Sequence, residues 1–84
     1  MITHAWRERT EEGELRFVRA QKHGGRWRVH SRLKSQEQWT AHDPMELRDL
    51  ESLRDVLWRK YQRKRLPFGD VEQIDELIAE CRKS

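Results

Sequence analysis

The longest periodic stretch of hydrophobic positions lies between residues 43 and 65. Leucine or tyrosine recurs there at three- and four-residue spacing, the period of one helix face: Leu47, Leu50, Leu53, Leu57 and Tyr61. Val56 and Trp58 widen that face on either side. The pattern predicts a long amphipathic helix over residues 43–65. Such a broad apolar face is typical of a helix that contacts two neighbouring elements.

Polar residues indicate where this helix begins and ends. Asp43 is placed to accept hydrogen bonds from the first free N–H groups, and Pro44 suits the first helical position. Acidic residues gather early in the segment and basic residues late, which is the order that the helix dipole favours. Pro67 is expected to stop the helix after Arg65, because the residue before a proline avoids the helical conformation.

A shorter amphipathic helix is predicted over residues 70–83. Asp70 is expected to cap its first turn, with Gln73 as the capping partner. The apolar positions form one narrow stripe, namely Val71, Ile74, Leu77, Ile78 and Cys81. Acidic residues occupy the other side. The short link between the helices predicts that they pack antiparallel.

The N-terminal half alternates between apolar and polar residues in short runs, as β-strands do. A hairpin is predicted over residues 14–33, and residues 37–41 are expected to add a strand whose Trp39 and Ala41 face the core. Residues 1–13 fit an edge strand, a helical turn or a loose arm, and the pattern alone does not choose among these.

The length of the hairpin loop decides which side chains face the core. A two-residue loop of Gly24 and Gly25 scatters the apolar residues over both faces. A three-residue loop that starts at His23 pairs Leu15 with Leu33. That register gathers the apolar side chains on one face: Leu15, Phe17, Trp27, Val29 and Leu33. We therefore expect the three-residue loop.

The expected register leaves a basic face on the other side of the sheet. Like charges such as Arg16 and Arg32 are then expected to lie opposite each other, where an anionic partner would relieve their repulsion. The candidate nucleic-acid-binding residues of this face are Arg16, Lys22, Arg26, Arg28 and Arg32. A second basic cluster ends the long helix and contributes the candidates Arg59, Lys60, Arg63 and Lys64. The helix dipole also accounts for that cluster.

These elements predict a single small α+β domain over residues 1–84. Its N-terminal half is an antiparallel meander of three or four strands over residues 14–42, packed against a C-terminal antiparallel helical hairpin. The order of strands bearing arginine and tryptophan followed by a helix, over residues 14–60, resembles the DNA-binding domains of plant ethylene-response factors and the arm-binding domains of phage integrases. The resemblance implies DNA contact through the sheet.

Composition narrows the classes of function. Hydrophobic residues make up 35% of the chain and charged residues 39%, so the core is small. Residues 1–42 carry nine Lys and Arg against five Asp and Glu, whereas residues 43–84 carry nine against ten. Basic character therefore belongs to local regions. One cysteine, Cys81, and the absence of an apolar run of membrane length favour a cytoplasmic location without a membrane partner.

No arrangement of residues predicts catalysis. The four histidines are scattered and fall at no metal-ligand spacing with one another or with Cys81. No pair of carboxylates suggests acid–base chemistry, and no motif suggests a cofactor or a small-molecule ligand. We expect a non-enzymatic binding domain that binds nucleic acid weakly and without sequence preference through the basic sheet face. The alternative is a module for protein interaction or self-association, using the long helix or the acidic last helix.

Overall fold

A computed structural model of the chain describes residues 3–83 and confirms the α+β class. Four antiparallel strands form one sheet in the order β1-β2-β3-β4, and two helices follow. The elements are β1 (Thr3–Arg9), β2 (Leu15–His23), β3 (Arg26–Leu33), β4 (Thr40–His42), α1 (Leu47–Gln62) and α2 (Phe68–Lys83). Two compact units result, residues 1–44 and 45–84. Neither described helix is long and apolar enough to cross a membrane.

The N-terminal segment adopts the edge strand, one of its three predicted states. Strand β1 pairs with β2 along its whole length, from Thr3 with Gln21 to Arg9 with Leu15. The Gly13 N–H donates to the Thr10 carbonyl at 2.9 Å and closes the connecting turn. The first two residues of the predicted segment, and Ser84 of the predicted domain, lie outside the described residues.

The hairpin between β2 and β3 has the two-residue loop, so the predicted register was wrong. His23 pairs with Arg26, and Arg16 rather than Leu15 pairs with Leu33. Gly24 and Gly25 have φ values of 57° and 78°, the conformation of a type I′ turn. The twist of this turn matches that of the flanking strands, and glycine adopts positive φ without steric cost. Turn geometry therefore outweighed the grouping of apolar side chains.

One face of the sheet is buried, and it includes Val18, Ala20, Trp27, Val29 and Ser31. Arg16 lies on this face and is 6% exposed. Its Nη1 donates to Glu8 Oε1 at 2.6 Å, and this ion pair offsets part of the cost of burying the guanidinium. Arg16 and Arg32 therefore occupy opposite faces, which corrects the predicted juxtaposition.

The last strand is shorter than predicted and presents other residues. It begins at Thr40, so Trp39 precedes it. Ala41 is exposed, whereas His42 is half-buried and its Nε2 lies 2.6 Å from Ser31 Oγ. The expectation that Trp39 and Ala41 face the core is wrong, because both residues lie on the side of the sheet opposite to the buried face.

Helix α1 begins later than the sequence pattern predicted. Glu46 is its N-cap residue, with ψ of 144° and no side-chain capping bond. Asp43 and Pro44 instead form the connection after β4, joined by a cis peptide bond. The predicted capping by Asp43 is therefore wrong. Strand β4 runs up to His42, and these two residues form a bend in the connection to the helix.

The end of α1 is a Schellman motif. Arg63 is the C-cap residue and Lys64 has φ of 57°, a left-handed conformation. The Lys64 N–H donates to the Tyr61 carbonyl at 2.8 Å, and the Arg65 N–H donates to the Lys60 carbonyl at 2.9 Å. These bonds satisfy carbonyl groups that the helix leaves unpaired. The helix thus ends before the position expected from Pro67.

Helix α2 begins at Phe68, and Asp70 lies within its first turn instead of capping it. The two helices are antiparallel as predicted, because contacts pair the end of α1 with the start of α2. The Tyr61 and Phe68 ring centres are 5.1 Å apart, and Arg54 forms an ion pair with Asp75 further along. The periodic apolar positions supply the buried residues Leu50, Leu53, Leu57, Val71, Ile74 and Ile78.

Candidate nucleic-acid interface

A row of arginines lies on the sheet face opposite to the buried one. Arg9 shares this side of β1 but lies at the strand end, where its Nη1 donates to the Gly13 carbonyl at 2.9 Å. We use the name arginine face for the other five arginines, which are Arg7, Arg19, Arg26, Arg28 and Arg32. Alternation along the strands places them together, since successive side chains point to opposite faces. No Asp or Glu occupies this face in the four described strands. Within residues 3–83, none of the five arginines lies within ion-pair distance of a carboxylate.

An aromatic residue sits at the centre of the arginine face. Phe17 on β2 pairs with Arg7 on β1 and with Arg32 on β3. Phe17 therefore has an arginine as its cross-strand partner on each side. The Arg32 guanidinium carbon lies 5.0 Å from the centre of the Phe17 ring, within the distance of a cation–π contact.

Arg32 is held in place by the loop that follows β3. Its Nη1 donates to the Gln36 carbonyl at 2.8 Å, and its guanidinium carbon is 5.4 Å from the Trp39 ring centre. The Gln36 side chain binds the same strand end, since its Oε1 accepts from the Leu33 N–H at 3.0 Å. These contacts position the Arg32 charge before any ligand arrives.

Trp39 brings a second ring to the arginine face. The Arg19 guanidinium carbon lies 4.3 Å from the centre of its indole ring. Trp39 thus contacts Arg19 on β2 and Arg32 on β3, and it lies just outside the last strand. Aromatic stacking restricts both guanidinium groups and leaves their charge at the sheet surface.

A shallow concavity of about 480 Å³ opens at this position. Its lining residues are Ala5, Trp6, Arg7, Phe17, Val18, Arg32 and Trp39. The volume falls within the roughly 300–1,000 Å³ of small-ligand sites. Three aromatic residues and two arginines around one recess suit a flat, unsaturated group that carries or adjoins a negative charge.

His30 lies on the arginine face beside Arg19, with which it pairs across β2 and β3. Partial burial, followed by the charges of Arg19, Arg28 and His42, holds the pKa of His30 below its ordinary value. Within residues 3–83, His30 Nδ1 has no hydrogen-bond partner. The histidine therefore responds to the positive field of this surface.

The structure separates the candidates predicted from the sequence. Arg26, Arg28 and Arg32 lie together on the arginine face, whereas Arg16 and Lys22 belong to the other face of the sheet. The basic cluster lies at the end of α1, in the second unit. There Arg59 forms an ion pair with Asp55 at 2.8 Å, Lys60 is half-buried, and both Arg63 and Lys64 are exposed.

Sequence reasoning missed Arg7 and Arg19, and it placed the rings of Phe17 and Trp39 in the core. The Gly24-Gly25 pair was the signal that would have found them. A type I′ turn fixes the register, and the register assigns every side chain of β2 and β3 to a face.

No three His, Cys, Asp or Glu side chains among residues 3–83 converge on a position suitable for a metal ion. Comparisons of the chain with protein-family models, with curated proteins and with solved structures found no match.

Proposed function

We propose that this protein binds nucleic acid through the arginine face and acts by binding, without catalysis or a cofactor. The observation that carries the proposal is the set of five arginines on one sheet face with no carboxylate partner. Clustered cations attract a polyanion because phosphate contacts release the counterions condensed on the strand. We place this activity in the cytoplasm.

The dimensions of the arginine face suit a polymer. Alternate residues of an antiparallel strand are about 6.8 Å apart, so Arg26, Arg28 and Arg32 extend over about 20 Å along β3. Arginine also offers a planar fork of donors that fits phosphate oxygens. None of these contacts reads a base edge in a groove, which favours weak binding without sequence preference.

Fluorescence anisotropy with labelled single strands and duplexes of DNA and RNA tests the proposal. Five phosphate contacts predict a log–log salt slope of about −4.5 on duplex DNA and about −3.5 on single strands. Replacing Arg26 and Arg28 with Glu should reduce the slope by about two units. Arg82→Glu with Lys83→Glu makes the same change of charge at exposed positions of α2 and serves as control.

Equal loss of affinity in the two double variants would contradict the proposal, since net charge alone would then explain binding. Arg63→Glu tests the basic cluster of α1 separately. If that change reduces the salt slope by about one unit, the cluster also contacts phosphate. If the slope is unchanged, the arginine face accounts for binding by itself.

A second candidate function is protein interaction or self-association through the helical unit. Phe68 is 43% exposed, a large apolar side chain at the surface, and its ring contacts Tyr61. Tyr61 in turn lies 5.6 Å from Trp58, centre to centre. Four acidic side chains that follow Phe68 in α2 are also exposed, namely Glu72, Asp75, Glu76 and Glu80.

Sedimentation at several protein concentrations tests this second function. A mass that rises with concentration, and that Phe68→Ser returns to the monomer value, supports it. A constant monomer mass contradicts it.

A further inference from the structure

We propose that the arginine face selects unpaired strands over duplexes and that one base stacks in the concavity that Phe17, Arg32 and Trp39 line. This inference rests on the proposed nucleic-acid binding and names its ligand more narrowly. It adds a base contact to the phosphate contacts that the arginines supply.

The width of the sheet opposes entry into a duplex. Four strands at about 4.8 Å spacing place the outer two roughly 14 Å apart, before side chains are added. The major groove of B-DNA is about 12 Å wide and admits a helix or a two-stranded ribbon. A duplex therefore meets the arginine face through its backbone alone. A single strand is narrow and flexible enough to lie across it.

The position of Phe17 explains why an unpaired base would be preferred. Its ring belongs to the second strand, inside the sheet and between Arg7 and Arg32. In a duplex both faces of a base are already stacked on neighbours, so no base face is available to this ring. An unpaired base can be splayed outward and stack on aromatic side chains or on guanidinium planes.

The recess is arranged before a ligand binds. The Gln36 carbonyl holds Arg32, whose guanidinium carbon lies 5.0 Å from the Phe17 ring centre and 5.4 Å from that of Trp39. Arg7 lines the same recess from the neighbouring strand. Ring surface for a base and guanidinium groups for the adjoining phosphates are thus side by side. A ligand orders few side chains when it binds, which favours affinity.

Three probes of equal length test the inference on the full chain, and the duplex carries twice the phosphates of either single strand. They are an oligothymidylate of about 12 nucleotides, an abasic strand of equal length and the corresponding duplex, within the roughly 4–16 nucleotides that single-strand sites cover. One stacked base predicts that the oligothymidylate binds about 5- to 150-fold more tightly than the abasic strand. It should also bind more tightly than the duplex at the same salt concentration.

Matched variants assign the base contact. Phe17→Leu keeps an apolar side chain without a ring, and Phe17→Tyr keeps the ring. Leucine should abolish most of the preference for the oligothymidylate over the abasic strand, whereas tyrosine should preserve that preference. Trp39→Leu provides a second variant if Phe17→Leu unfolds, and circular dichroism identifies that case.

The outcomes distinguish the inference from the function on which it rests. Equal affinity for the oligothymidylate and the abasic strand, or tighter binding of the duplex, overturns the stacking inference and leaves nucleic-acid binding intact. No binding of any probe at low salt overturns both. Displacement of the oligothymidylate by polyglutamate at equal charge concentration also overturns both, because the arginine face would then bind any polyanion.

Discussion

The guanidinium carbon of Arg19 lies 4.3 Å from the centre of the Trp39 ring. This contact joins the middle of β2 to the residue that precedes β4, across the strand between them. It restrains the connection between β3 and β4 and holds the guanidinium over the indole. A double-mutant cycle of Arg19→Met and Trp39→Leu should show a coupling free energy of about 0.5–2 kcal/mol in urea unfolding, as expected for a half-buried cation–π pair.

The matched cycle pairs Arg28→Met with Trp39→Leu, because Arg28 has the same charge and lies on the same face, but the cation–π partners of Trp39 among residues 3–83 are Arg19 and Arg32. Its coupling should be close to zero. Equal coupling in both cycles would mean that Trp39 stabilises the sheet without a specific contact to Arg19.

Arg16 and Arg28 should separate stability from binding. Arg16 is buried and ion-paired with Glu8, so Arg16→Met should lower the free energy of unfolding by about 1–3 kcal/mol, since Glu8 loses its partner. Its affinity for nucleic acid, measured per folded molecule, should not change. Arg28→Met should do the opposite, with little loss of stability and a salt slope reduced by about one unit. Reduced slopes in both variants would contradict this division of the sheet into two faces.

Nucleic-acid binding should tighten as the pH falls, through His30. Partial burial lowers the pKa of His30 and the positive charges of Arg19 and Arg28 lower it further, whereas bound phosphates would offset those charges and raise the pKa. Affinity should therefore increase between about pH 8 and pH 5.5. His30→Gln should remove most of this dependence, whereas His23→Gln should keep it. A pH profile that survives His30→Gln would rule out His30 as its source.

His30 should also make the free energy of unfolding depend on pH, so that the folded chain is less stable at low pH. Because the folded chain lowers the pKa of His30, the unfolded chain binds more protons near that pH. The stability that neutral His30 contributes is present above its unfolded pKa of about 6.5 and lost as the pH falls through the folded pKa. His30→Gln should flatten this part of the stability profile, as measured by urea unfolding across the range. If the pH dependence of stability is the same in His30→Gln as in the unsubstituted chain, His30 is not its source.

Lys64 adopts the left-handed conformation that usually belongs to glycine, with φ of 57°. Lys64→Gly should raise the free energy of unfolding by about 0.5–1 kcal/mol. Removing the Cβ relieves a penalty of roughly 1–2 kcal/mol, and the greater freedom of glycine in the unfolded chain offsets part of the gain. Lys64→Ala removes the charge but keeps the Cβ, so it should change little. A gain in stability from alanine would assign the effect to charge instead.

The helices were largely predictable because their period is local. Leu50, Leu53 and Leu57 lie one turn apart, and whichever neighbour covers them, they share a face. The ends were less predictable. The capping signal of Asp43 competed with the strand that runs up to His42, and the Schellman motif at Lys64 uses a residue that rarely adopts its conformation.

In the sheet, the sequence predicted the strands but not which of their faces is buried. Alternation identified β2 and β3, but a shift of one residue exchanges their faces, and apolar grouping favoured the wrong choice. The two positive-φ glycines set the register. The ion pair of Arg16 with Glu8 then made a buried arginine tolerable, and cation–π contacts with Arg32 and Arg19 stabilise Phe17 and Trp39 on the open face.

By itself, the sequence determined the class of fold, the order of its elements, the apolar face of each helix and the presence of excess positive charge in the first 42 residues. These depend on periodicity and composition, which are properties of neighbouring positions. Only the tertiary structure decided which arginines share a face and which rings lie among them. That arrangement depends on pairing between strands distant in the chain, where each register assigns every side chain to one side or the other.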